Sequence, residues 1–218
     1  MGEWRHQLRS VTAMAKFLPG LGIAVGSFAV ILQFALTINE RMALGDSLTG
    51  ALFFYFSFFT ILTNIAAVLV YAAYLFPGRL TFFTNPVVRG AIGVAIIMVG
   101  LVYVTVLAAL WSPQGLYKLC DMLLHYIAPV VYAAWWLTAG RKGVLKFSDT
   151  SKMLIYPILY LAYVMLRGQL TGLYPYPFLN ANTLGLGAAL MNAALIAALF
   201  LGFALGVVAI DRSIKTRF

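Results

Sequence analysis

Six runs of apolar residues dominate this chain and restrict its fold more than any other feature. They fall near 17–38, 51–75, 87–110, 121–139, 153–173 and 184–210. A stretch of about 20 apolar residues is long enough to cross the hydrocarbon core as a helix. In lipid every backbone N–H and C=O needs an internal partner, so only helices and closed barrels cross. Barrel strands read as short alternating segments, whereas these runs are continuous. The expected fold is therefore an all-α integral membrane protein, a six-transmembrane-helix bundle forming one domain over 1–218.

Composition agrees. The chain is 63% hydrophobic and 10% charged, against about 25% charged for a soluble domain. The breaks at 39–50, 76–86, 111–120, 140–152 and 174–183 each carry charges, Pro or Gly, as turns require. Trp111, Trp135 and Trp136 occupy positions suited to an interfacial aromatic belt. The basic first 16 residues precede an apolar run longer than a signal-peptide core and lacking a small-residue cleavage site, so the run reads as a retained first span.

Lys and Arg counts set the expected orientation. Twelve of the 15 basic residues fall on one side: Arg5, Arg9 and Lys16 at the N-terminus, Arg79 and Arg89, then Arg141, Lys142, Lys146 and Lys152, and Arg212, Lys215 and Arg217 at the C-terminus. Arg41, Lys118 and Arg167 lie on the other. The positive-inside bias puts the first side, with both termini, in the cytoplasm. The same distribution explains the net charge of +9 without a nucleic-acid partner. Cys120, the one cysteine, excludes an intrachain disulfide and a multi-cysteine metal site. It reads as a small apolar residue near a helix end. Gly22-x-x-x-Gly26 and Gly202-x-x-x-Gly206 suit close helix packing.

Polar groups inside a membrane are costly and mark function. On a continuous second helix, Ser57, Thr60 and Asn64 fall within roughly 60° of arc, and Thr63 extends the stripe. The fourth span carries Asp121 and His125 at i, i+4. The fifth carries Tyr156, Tyr160, Tyr163 and Arg167 on one stripe, with Gln33, Tyr103, Thr105 and Asn192 at similar outer depths. The inner half of the sixth span is bare of polar groups. Together these positions predict a polar cavity open towards the outer side.

A Thr hydroxyl needs a base, and His is the usual one near neutral pH. His125 is the only histidine in the spans. Asp121 either orients its imidazole, as in a triad, or is a helix-start carboxylate favoured by the dipole. Arg167 either binds a carboxylate or an oxyanion, or snorkels to the interface. At 1.5 Å per residue, Thr60 lies roughly 14 Å and His125 roughly 6 Å below the outer boundary. No metal constellation, phosphate loop or dinucleotide turn is present, and no cofactor is expected.

Three segments carry a family resemblance: Phe58-Phe-Thr-Ile-Leu-Thr-Asn64, Asp121-Met-Leu-Leu-His-Tyr-Ile-Ala-Pro129 and Thr171-Gly-Leu-Tyr-Pro-Tyr-Pro-Phe-Leu179. They resemble the bacterial Pr6Pr membrane proteins, which in turn resemble the androgen-induced and androgen-dependent TFPI-regulating proteins. Those relatives are membrane threonine hydrolases of fatty acid esters of hydroxy fatty acids. The resemblance spans all six segments in order. It implies a multi-pass protein of the bacterial inner membrane acting on a membrane lipid or fatty-acid ester. Thr60 takes the nucleophile position and His125 the base position. Asp121, Asn64, Ser57, Tyr163 and Arg167 as supporting groups come from the stripes alone. The competing expectation is a non-enzymatic lipid- or small-solute-binding or transport protein that uses the same cavity. The number of copies in the assembly is left open.

Overall fold

Apolar runs this long form helices wherever the backbone can close its own hydrogen bonds, and the computed structural model shows where it does. It describes residues 2–139 and 142–214, with side chains from residue 16 onward. Of the orientation residues, Arg5, Arg9, Arg141, Lys215 and Arg217 lie outside the described side chains. Among the described residues the regular structure is helical and no strand occurs.

The order is α1 (Gly2–Ala43), α2 (Leu48–Tyr55), α3 (Phe59–Leu75), a short α4 (Thr81–Thr84), α5 (Pro86–Val102), α6 (Gly115–Met122), α7 (Ala128–Thr138), a short α8 (Thr150–Met153), α9 (Ile155–Thr171), a short α10 (Ala181–Leu184) and α11 (Leu186–Ser213). Two π-helical segments interrupt this series. Tyr103–Leu107 continues α5, and Leu123–Ile127 joins α6 to α7. The helix starts follow ordinary capping chemistry. Ser47 accepts the Gly50 N–H before α2, and Asn85 accepts the Val87 N–H with Pro86 opening α5.

Four helices are long and apolar enough to cross a membrane, at Lys16–Ala43, Pro86–Leu107, Phe147–Thr171 and Leu186–Ser213; α2 with α3 makes a fifth if that bent pair is one span. This is compatible with a multi-pass membrane protein. Leu170, Ile31, Leu159 and Leu195 are among many large apolar side chains left on the outside of the bundle. The predicted fourth span, 121–139, is not among these helices, although the chain runs helically from Gly115 to Thr138. Asp121 and His125 dilute its apolar character.

The predicted second span is corrected. Instead of one helix over 51–75, α2 and α3 meet at an angle of 73° across Phe56–Phe58. Such a break frees backbone groups that hydrocarbon cannot satisfy, and side chains take them up. Ser57 Oγ donates to the Phe54 carbonyl at 2.6 Å, and Tyr160 donates to the Ser57 carbonyl at 2.8 Å. The single stripe of Ser57, Thr60 and Asn64 therefore does not exist as drawn, because Ser57 lies outside both helices.

Helix α1 packs on α3 and α7. A Cβ on Gly22 would overlap the Tyr71 ring, and one on Gly26 would come within 2.7 Å of Val68. This pair serves close packing as expected. A Cβ added at Gly202 or Gly206 would meet nothing within 4 Å, so neither glycine marks a close approach of helices. Gly22→Leu should force α1 off α3 and lower the thermal midpoint in detergent by several degrees, as overpacking costs about 1–3 kcal/mol. Gly202→Leu should leave the midpoint unchanged in the same melt.

The tryptophan belt is also corrected. Trp111 is exposed, but Trp135 and Trp136 are buried. The Trp135 ring lies 5.0–5.4 Å from the rings of Tyr71, Tyr74 and Tyr132, and the Arg89 guanidinium sits 4.9 Å from its centre. Nearby, both the Val144 and Leu145 N–H groups donate to the Asp211 carboxylate at 2.9 Å, pinning the loop after α7 to the end of α11. Lys142 in that loop lies over the Trp136 ring and donates to the Trp136 carbonyl.

Burial, then the nearby Arg89, push the Lys142 ammonium down from 10.5 to about 8, against the opposing pull of Asp211. Above pH 8 the folded chain has released a proton that the unfolded chain still holds until near 10.5, so stability rises with pH across that window. Thermal melts at pH 7.5 and 9.5 should show this rise in the wild type and a flatter response in Lys142→Met.

Candidate active site

The break before α3 puts Thr60 at the second residue of a new helix, with its side chain 8% exposed. Ile61 and Leu62 return their N–H groups to the Phe58 carbonyl, so the Phe59 and Thr60 amides, the first donors of the helix, have no partner within it. The hydroxyl of Tyr176 faces both, and the Thr60 N–H donates to it at 3.4 Å. Tyr176 and Tyr160 are themselves within hydrogen-bonding reach of each other. Pro175 and Pro177 flank Tyr176 and hold its loop extended, while Asn192 of α11 donates to the Phe178 carbonyl at 2.9 Å. That loop is thereby seated on the start of α3.

His125 stands in the middle of the second π segment. Such segments recur at functional sites because they rotate side chains out of α-helical register. The two π segments meet here, with the Tyr103 ring stacked on the imidazole at 3.9 Å and 16°. Gly100 permits the approach of α5. A Cβ there would lie 3.0 Å from the His125 carbonyl and 3.2 Å from Pro129.

Thr60 Oγ1 lies 3.4 Å from His125 Nε2. Nδ1 on the opposite side of the ring lies 3.0 Å from Asp121 Oδ1 and 3.1 Å from the Asp121 carbonyl. In a neutral imidazole, two oxygens at Nδ1 place the proton there and leave the Nε2 lone pair facing the hydroxyl. Tyr103 is also within hydrogen-bonding reach of the Asp121 carboxylate. The arrangement is a hydroxyl, an imidazole and a carboxylate in series. The depth gap expected between Thr60 and His125 disappears because Thr60 does not sit partway along one straight span. The bend resets its position.

Asn64 is buried and holds this pairing from behind. Its Nδ2 donates to the Thr60 carbonyl at 2.9 Å and to the Leu124 carbonyl at 3.4 Å, joining α3 to the segment that carries His125. The other expected partners lie elsewhere. Ser57 bonds its own turn, and Tyr163 is exposed. Arg167 donates to the Leu173 carbonyl at 2.6 Å, where the chain turns after α9. Neither Tyr163 nor Arg167 borders a cavity with Thr60. The stripe on α9 divides because Tyr156 and Tyr160 turn inward, to Thr63 and Ser57, while Tyr163 and Arg167 turn outward.

Two cavities flank the Thr60–His125 pair. One, about 840 Å³ counting its mouth, lies between α3, α5, α9 and α11. Thr60, Tyr160 and Tyr176 are the polar residues among its lining; the others, such as Phe59, Val102 and Ile196, are apolar. It exists because α9 packs mainly on α8 and α11 and stands away from α5. The expected cavity is therefore corrected in character: it is an apolar pocket with its polar groups gathered at one point. The second is a shallow vestibule bordered by Tyr103, Trp111, Gln114, Lys118, Asp121 and Tyr126.

Sequence reading did not single out Tyr176 as a site residue. Its signal was the Tyr-Pro-Tyr-Pro run, since two prolines around one aromatic fix a loop rather than a helix. No protein-family model, curated protein or solved structure matches the chain.

Proposed function

We propose that the chain is a six-span protein of the bacterial inner membrane, with both ends cytoplasmic, that hydrolyses lipid esters. The bent α2–α3 pair and the helical run from Gly115 to Thr138 supply the two spans beyond the four long apolar helices. The uneven distribution of Lys and Arg supports the orientation.

The observation that carries the hydrolase reading is the series Thr60, His125, Asp121 at 3.4 and 3.0 Å, placed at the polar end of an otherwise apolar cavity. The cavity takes the acyl chain and brings the ester carbonyl to Thr60. The Thr60 hydroxyl attacks that carbon as Nε2 of His125 takes its proton. Such catalytic contacts shorten once substrate is held. The Phe59 and Thr60 amides and the Tyr176 hydroxyl surround the place where the oxyanion forms, and the dipole of α3 points the same way. His125 passes its proton to the leaving alkoxide, and an alcohol departs. Water then gives its proton to His125 and attacks the acyl-threonine, releasing the fatty acid and restoring the hydroxyl. No cofactor enters this cycle.

The reading is tested with a fluorophosphonate probe bearing a long alkyl chain. Intact-mass analysis should show one adduct, mapped by peptide sequencing to Thr60, with none in Thr60→Ala. An adduct that survives in Thr60→Ala would discard the assignment.

The apolar lining of the cavity at Thr60 favours a second reading, a lipid-binding or transport protein without chemistry. It expects fatty esters to raise the thermal midpoint while remaining intact, and no probe adduct on Thr60.

A further inference from the structure

We infer that the cavity at Thr60 opens sideways into the bilayer through a slot between α9 and α11, and that a long acyl chain held in the cavity runs out through this slot, which Ala197 keeps open. The inference rests on the hydrolase reading only for the ester at Thr60. The slot and the chain within it do not depend on cleavage.

The walls of the cavity decide where it opens. Helix α5 packs on both α3 and α11, which closes two of the sides. Helix α9 is tied to α3 by phenols, Tyr156 to Thr63 Oγ1 at 2.9 Å and Tyr160 to the Ser57 carbonyl at 2.8 Å. The Phe59 ring fills the space there, 4.9 Å from both phenol rings. At one end the loop carrying Phe178 is bonded to Asn192 of α11, and at the other α8 packs on α5 and α11. Among the described residues no hydrogen bond or ring contact joins α9 to α11. Of the residues that line the cavity, Ile158 of α9 and Ala197 of α11 are the exposed ones. Each stands twelfth in its apolar span, of 25 residues over Phe147–Thr171 and of 28 over Leu186–Ser213. The opening therefore falls near the middle of both spans, against hydrocarbon rather than headgroups.

Length decides what becomes of a chain held there. The lining runs from Leu154 to Leu161 along α9 and from Ala193 to Phe200 along α11. Seven residues of helix rise roughly 10 Å. The acyl chains of one leaflet span half of a hydrocarbon core about 30 Å thick, so a chain that starts at Thr60 outruns the cavity. Through an apolar frame it passes from one hydrocarbon surrounding to another, whereas a charged group would lose its hydration on the way. The start of α3 faces this slot, because the Phe59 ring beside Thr60 lies against Tyr160 of α9 and 5.8 Å from the Phe200 ring of α11. Ala193 and Ala197, one turn apart, leave that face of α11 without bulk. Ala193 is buried and Ala197 is exposed, which puts Ala197 at the lip. A large side chain there would turn the open slot into a closed pocket.

The test uses esters of one alcohol with acyl chains of about 8 and about 18 carbons, one shorter and one longer than the cavity. Matched ethers, which cannot be cleaved, report binding by thermal shift in nanodiscs. In the wild type the long chain should do at least as well as the short one, in kcat/KM and in the ether shift. Ala197→Trp should lower kcat/KM for the long chain at least about tenfold relative to the short one, and Ile158→Trp should do the same from the other lip. Leu159→Trp, which puts the same bulk on an exposed position of α9 outside the lining, should match the wild type. A wild type that rejects the long chain, or folded Ala197→Trp and Ile158→Trp variants that still accept it, overturns the inference. If no ester is cleaved while the ethers show the length limit in Ala197→Trp, the hydrolase reading fails and the slot stands. If the esters are cleaved and no such limit appears, the reverse holds. If no ether binds and no ester is cleaved, both fail.

Discussion

Thr60→Ala is expected to lower turnover of a long-chain ester at least about 10³-fold, and His125→Ala by a similar factor. Thr60→Ser should retain most of the rate, because it keeps the hydroxyl within reach of Nε2 and loses only a methyl group. In the proposed mechanism the two residues act as one unit: a base without its nucleophile has nothing to deprotonate, and a hydroxyl without its base stays protonated. The double alanine variant should therefore be no slower than either single variant. Initial rates in detergent with a chromogenic ester measure all four proteins, and the thermal midpoint shows whether each is folded. Turnover in Thr60→Ala equal to the wild type ends the assignment, since among the described residues no other hydroxyl stands in hydrogen-bonding contact with His125.

Asp121→Asn is the second large effect, about 10²–10⁴ in kcat with KM nearly unchanged. The carboxylate accepts the Nδ1 proton at 3.0 Å, which keeps the lone pair on Nε2. An amide in its place can turn its NH2 towards Nδ1, move the proton to Nε2 and remove the base. The ring would remain in place, held by the stacked Tyr103. The two roles read for Asp121 from sequence separate in this experiment. An orienting acid produces a fall in kcat with the thermal midpoint kept. A helix-start carboxylate produces a lower midpoint with kcat kept.

Much of the site was legible residue by residue. Thr60, His125 and Asp121 stand out in the sequence because a hydroxyl, an imidazole and a carboxylate are expensive in apolar runs. The i, i+4 spacing of Asp121 and His125 needs only helical periodicity to bring them together, and the π segment between them does not undo it. Arg167 and Tyr163 share a stripe with Tyr160, yet they turn away from the cavity. Which part of a stripe faces a neighbour depends on where that neighbour ends. Asn64 reads as a cavity group and instead ties two backbones together.

What the sequence by itself determined is the set of long apolar runs and the few polar side chains within them. Hydropathy is a property of consecutive residues and needs no partner to be read. The positions of the caps, Ser47, Asn85 and Pro86, are equally local. Only the tertiary structure decided that the second run bends by 73° at Phe56–Phe58. Nothing in Phe-Ser-Phe demands a break. It is sustained by phenols from far along the chain, Tyr160 at a separation of 103 residues and Tyr176 at 116, which take up the backbone groups that the bend exposes. That bend brings Thr60 to His125 and sets the first amides of α3 against the Tyr176 hydroxyl. A span that hydropathy presents as a straight crossing becomes, through contacts made by residues a hundred positions away, the start of the helix that carries Thr60.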